Sequence, residues 1–278
     1  MFSASFLVQA LLATAAFAIP SNKERMASRR ARRGLTHQSQ PVNLITSPKV
    51  TTNLAVQEQL SSNWAGAILV ADTATYTSVT GTFTVPNVKT DNDNVMECAA
   101  AWVGIDGDTC GGAILQTGID FCVASDETTQ SFDAWYEFFP DFAVDFTGFP
   151  LSVGDSITAT ATVLTPTSGT LTLINNSQKV TVSVNVTSTS ASLCQENAEW
   201  IVEDYTSNPE LPNWGTVTFT DASATTLSGT QVTPGGGDAT IIDIELFSPD
   251  FAENEVMTIS SVDGSTVAIK YSPALGGF

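Results

Sequence analysis

The chain has 278 residues, enough for one large domain or two small ones, and carries 10 Lys/Arg against 29 Asp/Glu, a formal net charge of −19 at pH 7. So acidic a chain would be repelled by the phosphates of nucleic acid or of an anionic membrane, and neither is expected as a partner. It suits work in acid, where carboxylates with reference pKa values of about 4 lose much of their mutual repulsion.

In chain order, Met1 to Ala18 run through Phe6, Leu7, Val8, Leu11 and Leu12 to the small-residue ending Ala16-Phe17-Ala18. This reads as a secretory signal peptide cleaved near Ala18, although no Lys or Arg precedes the apolar run. The run is shorter than the ~20 residues a membrane span needs. Residues 19–55 change character, with Arg29-Arg30, Arg32-Arg33 and little periodicity. Residues 1–50 hold seven of the 10 Lys/Arg and one acid, a net +6, whereas the remainder carries −25. A disordered basic tail is one reading of 19–55. The preferred one is an inhibitory propeptide lying across an acidic cleft and released as pH falls through about 4, because Arg and Lys stay charged while the carboxylates do not.

Beyond that point, residues 56–278 are rich in Val, Ile, Thr, Phe and Trp in short runs broken by Gly, Pro, Asn and Asp. Strands are expected near 64–71, 76–85, 158–163, 170–174, 180–186, 214–220, 239–247, 256–262 and 267–271, and no amphipathic helix of useful length appears. The class is all-β: a single sandwich of two antiparallel sheets of roughly seven strands each. Asn175 and Asn185 open candidate glycosylation sequons. Gly235-Gly236-Gly237 after Pro234 reads as a plain turn, and Ser272 to Phe278 as a loose extension.

The only histidine, His37, lies in the segment expected to be removed, which excludes Ser-His-Asp and Cys-His nucleophile systems and a His-bound zinc. The four cysteines (Cys98, Cys110, Cys122, Cys194) allow three pairings and show no zinc-knuckle spacing, so neither metal nor cofactor is expected. Carboxylate chemistry remains. Period-2 alternation puts Ile114, Gln116, Gly118 and Asp120 on one face of a strand, Trp102, Gly104 and Asp106 on one face of the preceding strand, Trp135 with Glu137, and Glu199 with Ile201 and Glu203. A Trp, amide or carboxylate thus stands where an ordinary core strand has Val or Leu.

The blocks SSNWAGAIL, Ala101 to Cys122, DAWYEFFP and NAEWIVED, in that order between Ser61 and Tyr271, resemble the fungal glutamic peptidases, or eqolisins. That family is a sandwich of two sheets whose catalytic pair is a Gln and a Glu, and the matching positions are Gln116 and Glu203. The resemblance implies a secreted, pepstatin-insensitive acid endopeptidase acting on protein or peptide substrates, inhibited by its own propeptide and expected to be monomeric. It implies the disulfide Cys110–Cys194, leaving Cys98–Cys122. It places Trp135 and Glu137 along the substrate cleft, with Trp102, Asp106 and Tyr136 on or beside the same surface. Asp106 or Glu137 would orient Gln116 or accept substrate amides. Two features stand apart: Phe138 and Phe139 replace a Trp-Tyr pair, and Lys89 to Met96 is short, so a single chain is expected where some relatives are cut in two. In chemical terms Glu203 as carboxylate would take a proton from water, the Gln116 amide would donate to the oxyanion, and Glu203 would return the proton to the leaving nitrogen. The rival readings are a β-sandwich glycoside hydrolase using Glu199 or Glu137 with Glu203, and a lectin-like module.

Overall fold

The computed structural model describes residues 38–45, 58–90, 96–125, 129–205, 211–248 and 253–273. The leader, the arginine pairs and His37 lie outside the described residues. The first strands are β1 (Glu58–Ser61), β2 (Trp64–Val70), β3 (Tyr76–Thr84), β4 (Glu97–Ile105), β5 (Ile114–Val123), β6 (Gln130–Phe139) and β7 (Val144–Asp145). Then come β8 (Ser156–Thr165), β9 (Ser168–Asn175), β10 (Val180–Thr187), β11 (Asn197–Glu203) and β12 (Thr216–Thr226). The last are β13 (Gln231–Val232), β14 (Thr240–Ser248), β15 (Glu253–Val256), β16 (Thr258–Asp263) and β17 (Thr266–Tyr271). Gly235–Gly237, expected as a plain turn, form a single 3₁₀ turn.

Two sheets pack as the sandwich expected from the strand pattern. The first runs β1-β14-β2-β11-β4-β5-β6-β7 with β15 beside β14; the second runs β10-β9-β8-β3-β12-β17-β16 with β13 beside β12. The pairs are antiparallel except β1 with β14, which are parallel. Between the sheets lies an apolar core. From the first come Ala65, Ala67, Leu69, Ala101, Val103, Leu115, Ile119, Phe121, Trp200 and Val202; from the second Val79, Phe83, Ala159, Leu171, Leu173, Phe219 and Ile269. Trp200 anchors the two, its indole N–H donating to the Thr80 carbonyl at 2.8 Å, and Gly81 leaves the room this ring needs.

Burial separates the sheets. Strand β10 (VTVSVNVT) alternates half-buried with exposed, the mark of one face in water. In contrast β4, β5 and β11 are buried at every position, so the face of the first sheet turned away from the core is covered as well. That covered outer face is where the polar residues are. Both disulfides are present: Cys98–Cys122 joins directly opposed residues of β4 and β5, and Cys110–Cys194 ties the turn after β4 to the approach to β11. Of the sequon asparagines, Asn185 is exposed, but Asn175 is fully buried with its Nδ2 donating to Pro150 O and Asp155 Oδ2, which corrects the expectation of a glycan there.

Candidate active site

The outer face is organised by register. Across β11, β4, β5 and β6 one row reads Glu199, Gly104, Gln116, Glu137; the next reads Ile201, Trp102, Gly118, Trp135; the third reads Glu203, Ala100, Asp120, Asp133. Large and small residues alternate so that side chains can lie across their neighbours. A Cβ on Gly118 would come within 2.5 Å of Trp102 Cβ and 2.2 Å of the Ala101 carbonyl oxygen, and one on Gly104 within 2.7 Å of the Trp102 ring. Gly118 thus makes room for the base of Trp102 and Gly104 for its ring, and Trp64 meets that ring edge-on at 5.0 Å and 78°.

Gln116 and Glu203, far apart in sequence, point to this same side and are both fully buried. Glu203 Oε2 accepts the Trp102 indole N–H at 3.0 Å. Gln116 Nε2 donates to Glu137 Oε2 at 3.1 Å. Glu137 is pushed well above the ordinary carboxylate range first by burial, with Glu203 and Asp120 adding like charge. Burial likewise raises Glu203 to about 8, against the lowering effect of the hydrogen bonds it accepts. Among the described residues no three His, Cys, Asp or Glu side chains converge to hold a metal ion.

What covers the site is residues 38–45, a piece of the basic segment that is itself uncharged. Its contacts are mostly through the main chain: Ser39 N–H donates to Glu137 Oε2 at 3.2 Å and Gln40 N–H to Glu203 Oε1 at 3.0 Å. Val42 N–H reaches the Gly107 carbonyl at 3.0 Å, Asn43 N–H reaches Asn63 Oδ1 at 2.9 Å, and Leu44 bridges antiparallel to Ser61. Ser39 Oγ and Trp64 Nε1 face the Glu203 carboxyl from just outside hydrogen-bond geometry.

Of the residues named from sequence, the structure brings Gln116, Glu203, Trp102, Trp135 and Glu137 onto one face. Two others depart. Asp106 was placed with Trp102 by alternation, but β4 ends at Ile105 and Asp106 turns to φ 68, which breaks the period. Its carboxylate accepts the backbone N–H groups of Gln195 (2.8 Å), Glu196 (2.8 Å) and Asn197 (3.2 Å), clamping the entry to β11 rather than orienting Gln116. Tyr136 lies between Trp135 and Glu137 in sequence and so falls on the opposite face, packed on the inter-sheet core with its ring 4.8 Å from Phe146. Sequence reading passed over Trp64, whose position in the SSNWAGAIL block was the available signal, and Asn63, which accepts from Asn43 N–H and donates to the Pro41 carbonyl at 3.1 Å. Ser39 and Gln40 gave no signal, because they act through backbone amides that every residue has.

Comparison with known proteins agrees with this geometry. Residues 62–271 match the model of the peptidase A4 family. The chain is 41% identical over 294 residues to aspergillopepsin-2 of Aspergillus niger, covering 96% of this chain and 98% of that protein. It is 37% identical over 275 residues to scytalidopepsin B of Scytalidium lignicola, covering 97% and 99%. A crystal structure of scytalido-glutamic peptidase with a transition state analog inhibitor superposes with a TM-score of 0.65 at 37% identity, covering 76% of this chain and 98% of that one. That of aspergilloglutamic peptidase from Aspergillus niger gives 0.55 at 44% identity, covering 63% and 99%. The chain thus belongs to the peptidase A4 family and is a glutamic-type endopeptidase, a hydrolase of peptide bonds.

Proposed function

We propose that the chain is a secreted acid endopeptidase that hydrolyses peptide bonds with Glu203 and Gln116, without sensitivity to pepstatin. Its signal peptide is 1–18, its inhibitory propeptide 19–55, and its working form a single-chain monomer of 56–278. The observation that supports this most is the common face: Glu203 and Gln116 share the buried outer side of the first sheet, and Glu137 holds the Gln116 NH2 group. One N–H of that group is engaged by Glu137, and the other is left for a developing oxyanion. Glu203, once uncovered, takes a proton from the attacking water and returns it to the leaving nitrogen. Its value of about 8 belongs to the covered site, because burial is the leading cause; admitting water lowers it toward the ordinary carboxylate range, where a base is present in mild acid.

The cover itself supports the propeptide reading. Residues 38–45 take hydrogen-bonding positions at Glu137 and Glu203 that water and substrate would need. The sign of the acid response follows from the shifts. Covering raises Glu203, so this group takes up a proton on closing and favours the covered state in acid. Release in acid must therefore come from elsewhere: the net +6 of residues 1–50 loses its attraction for the −25 remainder as exposed carboxylates are protonated. Inhibition by a 19–55 peptide should weaken steeply from about pH 5 to pH 3; equal potency at both would rule this out.

The decisive experiment is digestion of denatured protein at pH 2 to 5 with pepstatin present. Cleavage that persists, and that is lost in Glu203→Gln and Gln116→Ala with unchanged circular dichroism, supports the pair. Undiminished cleavage in either variant refutes it.

A further inference from the structure

Four buried oxygens within one register row of the outer face lack a partner: both carboxyl oxygens of Glu199, Oε1 of Gln116 and, at the far end of the row, Oε1 of Glu137. Glu199 is fully buried on β11, on the same face as Glu203, and plays no part in the scheme above. Between it and Gln116 stands only Gly104, which has no side chain to separate them. A Cβ built on Gly104 would lie 3.0 Å from Glu199 Oε1 and 3.3 Å from Gln116 Cβ, so the carboxyl and the base of the amide side chain reach over the same glycine. An amide carries its oxygen and nitrogen on opposite sides of one carbon; with Nε2 turned to Glu137 on β6, Oε1 is left to find its donor elsewhere.

We propose that Glu199, as the neutral acid, supplies that donor across Gly104 by a small turn of its carboxyl, the two groups standing unbonded in the covered structure, and is a positioning residue that fixes which end of the Gln116 amide faces the substrate. The inference rests on the reading of Gln116 as the oxyanion donor.

Charge balance requires the neutral form. An ionised Glu199 offers only acceptors and would face Gln116 Oε1, acceptor against acceptor. Asp106 and Asp108 bear on it from the turn after β4, Glu203 lies four residues along β11, and Glu137 lies beyond Gln116. No hydrogen bond or ion pair to Lys89, Lys179 or Lys270, the cations among the described residues, is present to hold it ionised. Burial, reinforced by Asp106 and Asp108, raises its pKa well above the ordinary range, so it stays protonated throughout an acid working range. Neutral Glu199 has one hydrogen to give and Gln116 Oε1 has lone pairs to receive it. Without it, the amide can turn over and present oxygen where the oxyanion forms, which removes the stabilising N–H while leaving the cleft unchanged.

The test compares kcat and KM in acid for the wild type, Glu199→Gln and Glu199→Leu, with Gln116→Ala and Glu203→Gln alongside. Glu199→Gln keeps the shape and a donating NH2 group but cannot titrate; it should keep kcat within about threefold. Glu199→Leu has no donor and should lose about 10- to 100-fold in kcat with KM within about twofold, a fraction of the cost of deleting an oxyanion donor outright. A folded Glu199→Leu enzyme with wild-type kcat overturns the proposal, as does a Glu199→Gln enzyme impaired as much as Glu199→Leu. If Glu199→Leu does not fold, Glu199→Gln decides alone: retained kcat supports the donor, and a tenfold loss overturns it. Active Gln116→Ala or Glu203→Gln would instead sink the underlying reading, so the two failures are distinguishable.

Discussion

The outer faces of the two sheets are built from the same strand geometry and opposite chemistry. On the second sheet, neutral hydroxyls pair across strands on a half-exposed face: Ser78 with Thr162 (3.0 Å), Thr80 with Thr160 (2.8 Å), Thr82 with Thr158 (2.8 Å) and Thr172 with Ser183 (2.8 Å). On the first sheet, acids and an amide are buried, and Gln116 Oε1, Glu137 Oε1 and both Glu199 oxygens have no partner. Folding alone would favour the first arrangement, since each unmatched buried polar group costs about 1–3 kcal/mol. The second persists where stability is exchanged for chemistry, so unsatisfied atoms mark the site as well as any motif does.

Substitutions can break that contrast, beginning with the largest effect. Glu203→Gln, nearly isosteric, should lower kcat/KM by about 10³ or more while leaving the melting transition in acid close to wild type. A comparable loss from any single hydroxyl of the second sheet would erase the distinction between the faces. Next comes pH. Glu137, Glu199 and Glu203 are all raised by burial, Glu203 to about 8, whereas an unfolded Glu titrates near 4.3. The unfolded chain therefore releases these protons first. Stability of the covered protein should be full below about pH 4 and fall by about 3 kcal/mol or more toward pH 8, read by denaturant unfolding at each pH. Glu203→Gln should flatten part of that fall.

Smaller effects sharpen the comparison. Asp106→Ala leaves three backbone N–H groups at the entry to β11 without their carboxylate and should cost about 2–3 kcal/mol in unfolding free energy, with kcat per folded molecule nearly unchanged. A large drop in kcat at unchanged stability would return Asp106 to the substrate surface. Smallest is Thr80→Val with Thr160→Val, which removes both partners of one half-buried pair and should shift stability by less than about 1 kcal/mol.

The alternation of apolar and polar residues made the sandwich and the Gln116, Trp135 and Glu203 faces legible, because side chains on a pleated strand have little choice of side. It failed at Asp106, where one residue with positive φ ends the period. For Tyr136 the rule applied correctly would have sent it to the core; proximity to Trp135 and Glu137 in sequence was mistaken for proximity in space. The short strands β1, β7, β13 and β15 left no readable pattern over 2 to 4 residues. Charge drew attention to the basic stretch, yet the part described on the site is the neutral 38–45, whose role rests on amides and leaves no side-chain signature.

The segment over the site grips through Ser39 N–H, Gln40 N–H, Val42 N–H and the Asn43 carbonyl, and among its side chains Gln38, Val42 and Asn43 add contacts while Ser39 and Gln40 hydrogen-bond the acids through the backbone alone. Replacements at Ser39 or Gln40 that keep the amide hydrogen should leave the fit intact. A proline at residue 39, 40, 42, 43 or 45, by deleting an amide hydrogen, would loosen the hold.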